Sequence, residues 1–227
     1  MKNLIIVAFA FLTQLCSAQN VHLTKVQKTK ENTDKFLYKI NEEIKDAEYL
    51  GEVEVQGFWK YDDEVFSLVY KKAKEIGANA FSWKPFENID GTLQNFNPSN
   101  YRLNLYFLPK DQFKDQTGYM YIFASSEKDQ NIAINKTDYV LSPRSYLKLK
   151  TVSGEVYTIS TKKLLGSTIK IQPKDNSSNQ YFQISATKIK SDDSGVGGLN
   201  LKSGDIIGLE KSYGEFLSTI YKEKQSN

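Results

Sequence analysis

The apolar residues of this chain change period twice, and those two changes dictate which elements can form and in what order. From Leu50 to Trp59 they alternate, with Val53, Val55, Gly57 and Trp59 on one side and Glu52, Glu54 and Gln56 on the other, the pattern of a half-buried strand. Val65, Phe66, Val69, Ala73 and Ile76 then recur at the helical period, and Lys71, Lys72, Lys74 and Glu75 fall on the opposite face. Asp62 or Asp63 is expected to cap that helix, its late lysines suit the helix dipole, and Gly77 suits the left-handed position that ends it. Short apolar and aromatic runs at Phe36–Ile40, Ala78–Trp83 and Tyr101–Leu108 read as strands. The last two are separated by a loop holding Pro85, Asn88, Asp90-Gly91 and Asn97-Pro98. These elements predict a ββαββ domain over residues 35–110.

From Thr117 onward only short alternating runs remain. Strands are expected at Tyr119–Ala124, Asn131–Ile134, Tyr139–Leu141, Tyr146–Lys150, Glu155–Ser160, Ser167–Ile171 and Gln180–Ala186. A final hairpin, Asp205–Leu209 with Glu215–Tyr221, would turn at Tyr213-Gly214. The class is therefore α+β: a small ββαββ domain followed by an antiparallel all-β sandwich or barrel-like domain over 118–221, with the boundary in Lys110–Gly118.

Residues 1–18 read as a secretory signal peptide. Lys2 begins it, Leu4–Leu12 is its apolar centre, and Cys16-Ser17-Ala18 offers small residues for cleavage between Ala18 and Gln19. That apolar run is well short of the roughly 20 residues that span a bilayer, so no membrane span is expected. Residues 19–34 are polar and aperiodic and read as a flexible arm. The only cysteine leaves with the signal, so no disulfide can form in an exported chain. Loss of Lys2 takes the formal net charge from +3 to +2, too balanced for a nucleic-acid footprint. The expected location is the periplasm or the cell exterior, with outer-membrane association open; the sequence does not set the oligomeric state.

His22 is the only histidine, and its place in the arm excludes a rigid Ser-His-Asp or Cys-His centre. Without Cys and His clusters, zinc and copper sites are disfavoured too. Glu52 and Glu54 share a strand face, which more often solubilises than catalyses. Asp192-Asp193-Ser194-Gly195 lacks the ligand spacing of a calcium loop, and Gly195-Val196-Gly197-Gly198 lacks that of a dinucleotide loop. The expectation is no catalytic residue, no metal and no cofactor.

Aromatic residues are the remaining candidates. Trp59 should be core, while Trp83 is expected to face away from the helix with Phe81 and Asn79, so that Phe81, Trp83, Phe86 and Phe96 form a candidate partner surface. Packing of that face against the β-rich domain, contact with another protein and stacking of a ligand such as a sugar are the three uses open to it.

Leu50-Gly51-Glu52-Val53, followed by Lys72-Ala73-Lys74-Glu75-Ile76-Gly77-Ala78-Asn79-Ala80, resembles the small domain shared by the envelope stress lipoprotein RcsF and the YbjQ-like proteins, over about residues 48–85. The C-terminal stretch is similar to β-rich lipoprotein domains of bacterial envelopes, and Ser17-Ala18-Gln19 resembles the end of Bacteroidetes-type signal peptides. The resemblance implies an envelope protein that senses or binds by surface contact. It departs from those families in lacking their disulfide cysteines and the Cys and His of a metal site. The expected function is thus a non-enzymatic cell-envelope protein that binds another envelope or surface component, an envelope protein being the expected partner. The alternative is a secreted carbohydrate-binding module or a carboxylate-dependent hydrolase.

Overall fold

Val53 and Val55 are fully buried while Glu54 remains partly exposed, so the alternation after Leu50 produces the half-buried strand it predicts, β3 (Glu48–Gln56). The computed structural model describes residues 20–41, 44, 46–57, 61–113, 116–163, 166–185, 202–203 and 205–225. The segment read as a signal peptide with its Ala18-Gln19 junction, Trp59, and the acidic and glycine-rich runs of 192–198 lie outside the described residues. Around β3 lie β1 (Asn20–Val26), β2 (Tyr38–Lys39), β4 (Ala80–Lys84) and β5 (Asn100–Phe107), in the order β1-β3-β5-β4-β2. All pairs are antiparallel except β2 with β4.

β1 corrects the expectation of a flexible arm over 19–34. An edge strand needs few inward apolar residues; here Val21 is buried, Leu23 packs on the core, and His22, Thr24 and Lys25 stay exposed. Two inward residues are too few to register as a period. His22 therefore sits on a strand, opposite Glu54.

α1 (Asp62–Glu75) buries Val65, Phe66, Val69 and Ala73, the face expected of it. Gly77, at φ +81°, ends it: its N–H donates to Lys74 O and the N–H of Ala78 donates to Ala73 O, which together satisfy the last carbonyls. The start differs from expectation. Tyr61 is the N-cap, with no side-chain capping bond, and the Asp62 carboxylate turns away from the helix. It accepts from Arg144 Nη2 at 3.0 Å and from the Tyr221 hydroxyl at 2.7 Å, both in the C-terminal half.

Beyond the short 3-10 turn Lys110–Gln112 come two more sheets. Strands β6 (Tyr119–Phe123), β7 (Gln130–Ile134), β8 (Thr137–Leu141), β9 (Ser145–Lys150), β10 (Tyr157–Thr161), β11 (Thr168–Ile171) and β12 (Gln180–Ile184) follow the expected runs closely. β13 (Lys202–Ser203), β14 (Ile206–Gly208) and β15 (Lys222–Glu223) complete the set. A four-stranded sheet has the order β11-β10-β7-β8, and a six-stranded one β13-β14-β12-β6-β9-β15. They pack face to face through Met120, Ile122 and Leu147 against Ile132, Ile159 and Leu141. The six-stranded sheet is mixed rather than antiparallel, because β12 runs parallel to β6 and β15 parallel to β9.

Tyr213-Gly214 does not turn a hairpin. It lies in a helix, α2 (Lys211–Ile220), whose Tyr213, Phe216, Leu217 and Ile220 fall at helical spacing and whose start is capped by Glu210, accepting from Tyr213 N. Gly214 is there for closeness: a Cβ would lie 2.3 Å from Cγ of Tyr181 on β12. α2 also closes the open edge of the first sheet, where Ser212 Oγ accepts from Leu37 N and Glu215 Oε2 from Lys39 N.

One hydrophobic core thus crosses the Lys110–Gly118 boundary. Val53, Val69 and Leu103 share it with Tyr121, Phe123 and Phe216. The chain stacks as five-stranded sheet, helices, six-stranded sheet and four-stranded sheet. Among the described residues no helix is long and apolar enough to cross a membrane.

Candidate functional site

The loop between β4 and β5 folds into a small hairpin of its own, Phe86–Gln94. Gln94 N donates to Phe86 O at 2.7 Å, Asn88 N to Thr92 O at 2.8 Å, and Gly91 N to Asn88 O at 2.9 Å, with Gly91 at φ +82°. Side chains stiffen it further: Thr92 donates through N and Oγ1 to Asp90 Oδ1, and Gln94 Nε2 to Asn88 Oδ1. These bonds, from the Thr92 hydroxyl above all, hold the Asp90 carboxyl below its ordinary range. What the hairpin presents is apolar. Ile89 at its tip is fully exposed (111 %) and Leu93 is 63 % exposed.

Two aromatic contacts brace the base. Phe86 lies under the Arg102 guanidinium, 3.9 Å from ring centroid to Cζ, and Phe96 fits between Trp83 and Tyr101 with centroids 6.0 and 5.4 Å away. Arg102 is itself fixed on the outer face of the sheet, its Nη1 3.7 Å from Glu52 and its Nε 3.1 Å from Glu54, and Lys84 pairs with Glu52 as well. β-strand parity puts these four charged side chains on one face, so the platform follows from the alternation of β3, β4 and β5.

The expected surface of Phe81, Trp83, Phe86 and Phe96 is thereby divided. Phe81 is fully buried, 6.4 Å from Phe216 by ring centroids, and cannot meet a partner. Its face looks toward the helices, and Trp83, half-buried, packs against the same core, which corrects the orientation predicted for both. The small residue Ala80 points the other way, to Ile40 and Leu108, where chain segments cross the sheet closely. Phe86 and Phe96 are half-buried supports. Ile89, Leu93 and Arg102 went unrecognised in the sequence. Ile89 and Leu93 flank Asp90-Gly91 at turn spacing, and Arg102 shares parity with Glu52 and Glu54 across an alternating strand; both signals were present.

A groove of about 560 Å³ runs beside Trp83, walled by the end of β2, by β4 with Pro85, and by Thr219 of α2. A second cavity, of about 350 Å³, lies beside Asp34 and Asn79. Asn79 is engaged in packing there, since its amide both donates to and accepts from the backbone of Leu108 at 2.8 Å.

The Glu52 carboxyl is not tuned as a general acid. Burial pushes Glu52 up, but hydrogen bonds from Lys84 and Thr24, aided by Arg102, outweigh it and hold the carboxyl below its ordinary value. A general acid needs the opposite shift. Among the described residues, no group of three or more His, Cys, Asp or Glu side chains is placed to hold a metal ion.

Comparison with protein-family models, curated proteins and solved structures finds no match to this chain.

Proposed function

We propose that this is a non-enzymatic binding protein of the cell envelope, exported to the periplasm or cell exterior after loss of residues 1–18, and that it engages a protein partner through the Phe86–Gln94 hairpin. The observation that carries the reading is the exposure of Ile89 and Leu93 on a hairpin tied by its own hydrogen bonds. Isolated apolar groups on a mobile loop are ordinary, but a preorganised pair loses little entropy when a partner covers it. Glu87 and Asp90 beside them are exposed, so the matching partner has an apolar cleft with a basic rim. The ion pairs of Glu52 with Lys84 and of Glu54 with Arg102 favour a structural use of those carboxylates over hydrolysis.

The test is a photo-crosslinking residue at position 89 in the native cell, followed by mass spectrometry of the adduct. A single recurrent envelope protein is the expected product, and the double variant Ile89→Ser/Leu93→Ser should abolish its co-purification. Stability should move by no more than about 0.5 kcal/mol, because neither side chain is packed. Recovery of the same neighbour with the double variant would reject the hairpin as the binding element.

A further inference from the structure

We infer that the groove beside Trp83 is a saccharide-binding site, independent of the hairpin. Its walls combine an indole and the Pro85 ring with Ile40, and with hydrogen-bonding groups that the fold leaves unspent. Among the described residues the Trp83 indole N–H and the exposed Asn41 amide make no hydrogen bond. Lys39 Nζ uses two of its three donors, on Ser218 O and Oγ, and Thr219 donates its hydroxyl to Glu215 O while keeping its oxygen as an acceptor. An apolar ring edged by donors and acceptors matches a pyranose, which has a C–H face and a rim of hydroxyls. Phe96 braces Trp83 in a T-shaped contact at 74°.

The walls also bear on two other uses. Among the described residues no carboxylate lines the groove, so the proposal is of glycan binding and not of cleavage. An extended peptide adding to the sheet is the competing occupant, because β2 stops at Lys39 and among the described residues no strand pairs with that edge of β4 beyond it. Ile40 N already donates to Phe81 O; by strand alternation only Trp83 then presents outward backbone groups before Pro85, which has no N–H. One residue of free edge is too little for strand addition.

Saturation-transfer NMR on the full mature chain tests the site, with cellobiose, chitobiose and a blocked tetrapeptide as probes at about 10 mM. At least one disaccharide should receive saturation on its ring protons and bind with a Kd of about 1 mM or tighter. Trp83→Ala should weaken binding at least tenfold. Because Trp83 also touches the core, Asn41→Ala and Thr219→Val serve as surface variants, and each should weaken binding about threefold with the circular dichroism spectrum unchanged. No transfer to either sugar from the folded protein, equal binding by all three variants, or transfer to the tetrapeptide alone would each overturn the inference. The Ile89→Ser/Leu93→Ser variant should bind the sugar as the parent does, so failure of one site leaves the other standing.

Discussion

The two large sheets are buried in different ways, and the difference explains how each half of the chain encodes its fold. The five-stranded sheet has one largely polar face: Val53, Val55 and Leu103 point to the helices, while Glu54 and Arg102 form an ion-paired outer surface beside the small apolar patch at Ala80. The six-stranded sheet is a middle layer. On β6, Tyr121 and Phe123 face the helical core and Met120 and Ile122 the four-stranded sheet, all of them buried. The first arrangement writes a clean alternation into the sequence, and the second writes a continuous apolar run that says nothing about which neighbour covers which face. A chain of this kind therefore depends on contacts between its halves as much as within them.

The strongest of those contacts is also the one whose loss should matter most. Arg144, itself at φ +51°, compensates the buried Asp62 carboxylate, whose other hydrogen-bond partner among the described residues is the Tyr221 hydroxyl. Arg144→Ala should cost about 3 kcal/mol in urea unfolding, the penalty of an uncompensated buried charge. Adding Asp62→Asn should recover part of it. Two separated unfolding transitions in the parent protein would break the picture of one shared core.

Gly214→Ala comes next, at about 2 kcal/mol, because the new Cβ would press on the Tyr181 ring and drive α2 off the six-stranded sheet. The same change in an isolated helix would stabilise by about 1 kcal/mol. A stabilised variant would show that the helix can shift and that the packing between halves is looser than the contact implies.

A third effect is confined to the first half. Lys74 donates its ammonium to the carbonyls of Asp34, Phe36 and Ala78 at 2.6–3.1 Å. Burial pushes its pKa down to about 8 from 10.5, opposed in part by Asp34. The unfolded chain then holds that proton more tightly than the folded one, so this residue's contribution rises from pH 8 to 10.5 and is lost as pH falls through 8. Stability measured against Lys74→Met across that range should show the rise. A Lys74 titration midpoint near 10.5 by NMR would remove its basis.

Much of the candidate site was legible. The turn at Asp90-Gly91 and the aromatic residues around it stand out, and the shared parity of Glu52, Glu54 and Arg102 is readable from alternation. The role of each aromatic was not. Phe81 and Phe96 look alike in sequence, yet Phe81 meets Phe216 from a helix some 130 residues later and becomes core. Gly214 misled for a related reason: glycine permits both a turn and a close approach, and only the ring of Tyr181 shows which is in use.

By itself the sequence determined the local elements whose causes are local. These are α1 with its glycine-ended C-terminus, the alternation of β3, and the short strands between turn residues, all set by side-chain period and backbone freedom within a few positions. The tertiary structure alone decided the β1 edge strand, the parallel pairings of β6 with β12 and β9 with β15, the placement of α2, and the division of the aromatics into core and brace. Each of these depends on which distant surface arrives to bury a residue. Burial is a property of the pair, and a one-dimensional pattern records only one member of it.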